Sequence, residues 1–348
     1  MIKKVLLVKY RFIGDAILAF PAFSAIRENY PDAKIDLLTE PLIASLMHGN
    51  PWGINPIVVN SSKDVRGLKG LLRIAGKLRQ DHYDISMNFI HEYTLRDSLL
   101  PFLAGIPVRV GFCAYGKMNV FNRRVGIEGD KYISHHGHMT AIIARIPERI
   151  GIEVRHVVPE LWVLPEADTH ARGLLEAHGL HPSIVGIHPG AGNPIRCWPL
   201  EYFAEVARCL TDHFKASVVC TGSGKEADSC GTLVDMIGRT GCVSLAGKTN
   251  ISQLIAVISR TRLFISNSSG PMHIAAALKI PLIALRGADE GMWDPLGDGL
   301  IVQLRALTAA PCYNEHSSKA QAFSDALRSI SPDQVIEHIR SMYKDVYE

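Results

Sequence analysis

The chain has 348 residues, 47% of them apolar, which is length for two ordinary domains and apolar material for two cores. No stretch of about 18 uncharged apolar residues occurs, so no membrane-spanning helix is expected, and a net charge of +3 gives no footing for nucleic acid. Seven cysteines with no CxxC pair, Cys220 and Cys242 among them in apolar runs, fit reduced, buried thiols and a cytoplasmic location.

The first run, Lys4 to Tyr10, reads as a buried strand; Lys9, Arg11 and Asp15 interrupt it too early for a signal peptide. After a short loop, Ala16 to Asn29 reads as one helix closed by Tyr30-Pro31. Lys34 to Thr39 and Asp84 to Phe89 are the next strands. Between them, Lys63 to Arg79 is amphipathic: Leu68, Leu71, Leu72, Ala75 and Leu78 recur at helical spacing, and six basic residues face one acid, Asp64. Such a helix suits an anionic membrane surface, and an ordinary domain helix with a solvated basic face has the same pattern. The charge balance leans the same way. Residues 1–165 carry 21 Lys and Arg against 15 Asp and Glu, and residues 166–348 carry 16 against 19. His135-His136-Gly137-His138 has the look of a metal cluster. Adjacent histidines diverge, however, and no Cys or carboxylate joins them at ligand spacing, so no metal is expected.

Pro159, Pro165 and Pro182 punctuate a seam, and the same grammar restarts beyond it. Ile184 to His188 is a strand, Leu200 to Phe214 a helix, Ala216 to Thr221 a strand. Cys242 to Leu245, Leu263 to Ser266 and Pro281 to Leu285 are further strands, with helices over 251–259 and 270–278. Residues 305–330 look like a connecting stretch, and Pro332 to Tyr347 reads as a closing helix. Apolar strands alternating with helices mean an α/β fold with two parallel sheets, each covered on both faces. Ligands are expected at the carboxyl ends of the strands and in the cleft between the two halves.

Four segments carry chemistry. Gly14 and Asp15 end the first strand and open the first helix; the carboxylate there can take a proton from an attacking hydroxyl, or simply cap the helix. His188-Pro189-Gly190-Ala191-Gly192-Asn193, followed by Arg196-Cys197-Trp198-Pro199, offers glycine-freed amides and a guanidinium for phosphate oxygens. Gly222-Ser223-Gly224-Lys225-Glu226 is a third strand-to-helix turn, neither a Walker A loop nor Gly-x-Gly-x-x-Gly, in which Glu226 is placed either for a ribose hydroxyl or merely as a first-turn acid. Ser268-Ser269-Gly270-Pro271 with His273 is the strongest of the four: Pro271 at the first helical position, then outward-facing amides and serine hydroxyls that suit a diphosphate.

Taken together, these segments resemble glycosyltransferase family 9, the ADP-heptose:lipopolysaccharide heptosyltransferases, over nearly the whole chain. The resemblance implies a GT-B fold of two facing Rossmann-like domains: an acceptor domain over 1–165, a sugar-nucleotide donor domain over 166–330, and a terminal helix over 331–348 packing back on the first domain. It implies inverting transfer without a metal or other cofactor, from a sugar nucleotide, ADP-heptose, to an anionic lipid-linked glycan, by a monomer with peripheral contact at the inner membrane. By resemblance Asp15 is the general base, and Arg196 takes the place of a lysine near the donor phosphates. Glu226 then lies near the donor ribose, and Gly14, His188, Gly190, Gly222, Ser268, Ser269, Gly270, Pro271 and His273 line the donor site. Two departures stand out. Ser268 replaces the family's usual Asp, and Ala326 stands where a second cysteine commonly accompanies Cys312. The rival readings are a sugar-nucleotide-binding homologue without transfer, which Ser268 keeps open, and an NAD-type oxidoreductase, which the missing Gly-x-Gly-x-x-Gly disfavours.

Overall fold

Val5, Leu6, Leu7 and Val8 are all buried, as a strand covered on both faces requires. The computed structural model describes residues 2–60, 63–64, 67–90, 95–114, 120–127, 137–180, 182–287, 291–306 and 320–347. His135, His136 and Cys312 lie outside these residues. The chain divides into two units: Met1–Glu160 with Gly291–Asp294, and Leu161–Glu290 with Pro295–Glu348.

In the first unit six strands form one parallel sheet: β1 (Lys4–Val8), β2 (Lys34–Thr39), β3 (Asn55–Val58), β4 (Ile85–Asn88), β5 (Val108–Ala114) and β6 (Arg123–Ile127). Their order is β3-β2-β1-β4-β5-β6. The helices are α1 (Ile13–Ile17), α2 (Phe20–Asn29), α3 (Pro41–Leu46), α4 (Gly67–Gln80), α5 (Leu95–Leu103) and α6 (Met139–Glu148). The single helix expected over 16–29 is two. Pro21 has no N–H for the Ile17 carbonyl, so the α-helical ladder is cut there, and the Ala19 N–H turns back to the Ala16 carbonyl at 3.0 Å. α4 lays Leu71, Ile74, Ala75 and Leu78 in one cluster with Leu6 and Val8 of β1. The late segment Gly291–Asp294 joins this unit through α6. The Met139 N–H donates to the Met292 carbonyl at 2.8 Å, and His138 Nε2 lies 2.9 Å from the Asp294 carbonyl. The first unit is therefore not the continuous block 1–165 read from the sequence.

The second unit repeats the scheme with β7 (Ile184–His188), β8 (Ser217–Cys220), β9 (Cys242–Ser244), β10 (Leu263–Asn267), β11 (Leu282–Arg286) and β12 (Ile301–Arg305). All are parallel, in the order β12-β11-β10-β7-β8-β9. Its helices are α7 (Pro165–Ala177), α8 (Leu200–Phe214), α9 (Ala227–Ile237), α10 (Ile251–Ser259), α11 (Gly270–Ala277), α12 (Ala320–Leu327) and α13 (Pro332–Tyr347). The stretch expected as a plain connection, 305–330, thus contains α12. The closing helix was expected on the first domain. Its described apolar residues Val335, Ile336, Ile339 and Met342 instead share a core cluster with Val206 and Leu210 of α8. Those four positions repeat at helical spacing, and the matching apolar stripe they need is on α8.

Counted from its own first strand, each sheet reads 3-2-1-4-5-6. The order reverses between β1 and β4 in one sheet and between β7 and β10 in the other. Loops at the carboxyl ends of those strands are where such sheets bind ligands.

Candidate active site

In the first unit the switch-point loop runs from the end of β1 into α1. Phe12 caps α1 with φ 67° and ψ 112°, a left-handed conformation that strains a residue with a side chain. The residue is 58% exposed, with the Arg11 guanidinium 5.5 Å from the ring centroid. Gly14 is buried and Asp15 follows as the third helical residue. Phe12, not Asp15, is therefore the N-cap, and the capping explanation for Asp15 falls away. Asp15 Oδ2 lies 3.3 Å from Lys9 Nζ, and the two side chains are 13% and 4% exposed. An ammonium drawn out of water is costly without a partner. Here it faces the carboxylate that the sequence singles out.

In the second unit three loops meet at the carboxyl ends of β7, β8 and β10. Asn267, the last residue of β10, is 0% exposed and ties two of them together. Its Nδ2 donates to the Pro189 carbonyl at 2.6 Å, and its Oδ1 accepts from the Trp198 N–H at 3.0 Å. Both ends of the loop carrying Arg196 are thus fixed to the strand that leads into Ser268 to Pro271. Within that loop Pro194–Arg196 form a 3-10 turn, which Asn193 caps by accepting from the Ile195 N–H at 3.2 Å. The Trp198 indole is buried against Tyr202 and Phe203 and donates to the Ile330 carbonyl at 2.9 Å.

The third loop brings Glu226 to His188. Glu226 Oε2 accepts from the Ser223 N–H at 2.7 Å, and Oε1 lies 4.0 Å from His188 Nε2. Glycine at 190 has a steric cause: a Cβ there would fall 1.7 Å from Glu226 Oε1. At Gly222 a Cβ would press on Cys230 Sγ at 3.0 Å. These glycines therefore make room for protein atoms, in addition to any room they leave for a ligand. His188 Nδ1 lies 2.9 Å from the Thr221 carbonyl. A carbonyl only accepts, so the proton sits on Nδ1 and Nε2 presents its lone pair toward Glu226. Burial pushes the His188 pKa below its usual value, against the opposing pull of Glu226 and of the Thr221 bond.

α11 opens with Ser269 as N-cap and Gly270 as first residue, so Pro271 takes the second position, not the first. The Ser269 side chain makes no cap bond; its Oγ lies 3.2 Å from Ser266 Oγ. First-turn amides of a helix have no intrahelical acceptor and point toward whatever lies beyond the strand end. Ser268, Ser269 and Gly270 are half-buried, while Pro271 and His273 are buried within the unit. Structure thus gathers His188, Gly190, Gly222 and Glu226 into one group and connects Arg196 to Ser268–Pro271 through Asn267. Asn267, which joins them, bears no local mark in the sequence, because its partners are backbone groups of a distant loop.

A family model described as glycosyltransferase family 9 (heptosyltransferase) matches residues 71–322. Lipopolysaccharide heptosyltransferase 3 of Escherichia coli (strain K12) is 31% identical over 306 residues, 84% of this chain and 85% of that protein. Among solved structures, a family 9 glycosyl transferase from Veillonella parvula DSM 2008 superposes with a TM-score of 0.85 at 21% identity, covering 99% of this chain and 98% of that one. ADP-heptose lps heptosyltransferase II of E. coli gives 0.78 at 22% identity, covering 99% and 100%. The fold is GT-B, as the resemblance implied.

Proposed function

The chain belongs to glycosyltransferase family 9, and from that premise we propose that it moves a heptosyl group from ADP-heptose onto the core sugar of a lipopolysaccharide. The observation that carries this reading is the Asn267 strut. Two bonds from one buried amide hold the Arg196 loop against the strand that opens into α11. A guanidinium and a set of helix-start amides held in this way suit a nucleoside diphosphate. They would stabilise the charge that develops on the departing ADP, the work a divalent ion does elsewhere, so transfer is proposed to need no metal.

Asp15 is the proposed general base. It takes the proton of the acceptor hydroxyl as that oxygen attacks the anomeric carbon, the bond to the diphosphate breaks, and the configuration inverts. Lys9 holds the carboxylate in place. Glu226, fixed by the Ser223 N–H, is proposed to meet the donor ribose, with His188 kept neutral behind it. The acceptor is an anionic lipid-linked glycan at the cytoplasmic face of the inner membrane, and the protein acts as a monomer. Among the described residues no helix is long and apolar enough to cross a membrane, so contact of those residues with the bilayer is proposed to be peripheral.

Ser268 favours one second reading. With a hydroxyl where the family usually has a carboxylate, the chain would bind a sugar nucleotide without transferring it. Calorimetric titration with ADP, GDP, UDP and CMP, followed by transfer assays with ADP-heptose and a heptose-deficient core acceptor, separates the two. ADP is expected to bind most tightly, and turnover is expected to persist in excess EDTA. Tight ADP-heptose binding with no transfer would establish the second reading instead.

A further inference from the structure

Helix α4 follows the carboxyl end of β3 and runs back along the sheet, so its first turns stand at the same edge of the unit as Phe12, Gly14 and Asp15. Its inward stripe, Leu71, Ile74, Ala75 and Leu78, is spent on the core. Two further leucines, one helical turn apart, have no such use: Leu68 is 69% exposed and Leu72 is 49% exposed. Single exposed leucines need no explanation. These two sit among Lys69, Arg73, Lys77 and Arg79, all on the exposed part of the helix. Asp64 is the one acid described beside them; it pairs with Arg73 at 2.9 Å. Arg79 is spent on a carbonyl, that of Leu103 at 2.8 Å, which leaves its charge in place. The face is thus apolar in its first turns and cationic along its length.

We propose that the outer face of α4 docks this protein on the anionic lipid surface of a membrane. Leu68 and Leu72 enter the headgroup boundary, where their side chains leave water. Lys69 and Lys77, with Arg73 and Arg79, face the lipid phosphates and draw the protein from solution. Cation and leucine act in sequence: the charges set the encounter and its salt dependence, and the leucines hold the docked state. Because α4 begins at the carboxyl edge of the sheet, docking there brings a lipid-linked acceptor to the edge that carries Asp15. That purpose rests on the acceptor proposed above; the docking itself is measured without transfer.

The test is co-sedimentation of the full chain with vesicles of phosphatidylglycerol and phosphatidylethanolamine, and with vesicles of phosphatidylcholine alone. Binding is expected to the anionic vesicles only, and to fall as salt rises from about 0.1 M to about 1 M, where screening shortens to roughly 3 Å. The pair Lys69→Glu and Lys77→Glu should lower partitioning by at least about tenfold, given the attraction of each cation to such a surface. Leu68→Ser with Leu72→Ser should lower it several-fold while keeping the salt dependence. A control pair on the second unit, Arg172→Glu with Lys215→Glu, should change it little. All variants should retain nucleotide affinity, and those that transfer to a delipidated acceptor should do so at the unaltered rate. Wild-type protein that ignores anionic vesicles, equal binding to phosphatidylcholine, or α4 variants that bind as well as the control pair would each overturn the proposal. Loss of transfer with vesicle binding intact would count against the proposed reaction and leave the docking surface standing.

Discussion

At the carboxyl edge of the first sheet the polar chemistry centres on a shielded ion pair, Lys9 with Asp15 at 3.3 Å, beside a strained and exposed Phe12. At the corresponding edge of the second sheet it is mostly a web of uncharged bonds: Asn267 to Pro189 and Trp198, His188 to Thr221, with Glu226 anchored on the Ser223 amide. The strand order is the same in both. What differs is what each edge is built to hold. A carboxylate kept beside an ammonium and shielded from water holds a charged oxygen at one fixed place on that edge. A web of amides and carbonyls fixes backbone geometry, which is what an anion held by helix-start N–H groups requires.

The largest effect is expected at the first edge. Asp15→Asn preserves shape and an acceptor for Lys9 but removes the base. Turnover should fall by on the order of 10² to 10⁴, with ADP affinity little changed because all the proposed donor residues except Gly14 belong to the second unit. Turnover within a few-fold of wild type would dissolve the contrast between the edges.

The next effect belongs to the second edge. Asn267→Ala leaves the Pro189 carbonyl and the Trp198 N–H buried without their partner, at about 2–4 kcal/mol of unfolding free energy. Asn267→Asp keeps an acceptor for Trp198 and sets an anion against the Pro189 carbonyl, so it should be no milder. In both variants ADP should bind more weakly, because the Arg196 loop loses its tether. Denaturant unfolding and calorimetry read the two consequences separately. A destabilised protein with wild-type ADP affinity would make Asn267 a packing residue and nothing more.

Much of this was legible beforehand. β7, β10 and α8 stand out because fully buried parallel strands are unbroken apolar runs and a helix on a sheet shows one apolar stripe. β3 was not read. It is an edge strand, partly exposed, with Pro56 inside it, so it lacks the apolar run that marks a central strand. The break between α1 and α2 turns on Pro21 alone, hidden in a pattern apolar enough for one helix. At the site, Asp15 and the Ser268–Pro271 helix start are local patterns and were visible. Asn267 was not, because its partners are backbone groups 69 and 78 residues away, and backbone groups leave no mark in a sequence. The contact of Glu226 with Gly190 is equally silent: its one trace is a glycine that a ligand would also explain.

The smallest effect expected concerns the proton, and it sets the two edges apart by pH. Burial lowers the His188 pKa from a usual 6.5. In the unfolded chain the ring takes up a proton near that value; in the folded protein it resists until lower pH. Below about 6.5 the unfolded state therefore binds more protons, and stability contributed by neutral His188 is lost progressively as pH falls. His188→Asn keeps an N–H donor near the position of Nδ1, for the Thr221 carbonyl, and has no titration. Its unfolding free energy, measured in urea at pH 7, 6 and 5, should fall less steeply than that of the wild type. Parallel curves would mean that His188 is protonated alike in both states. The Glu226 charge and the Thr221 bond would then offset burial in full, and the second edge would lose its pH signature.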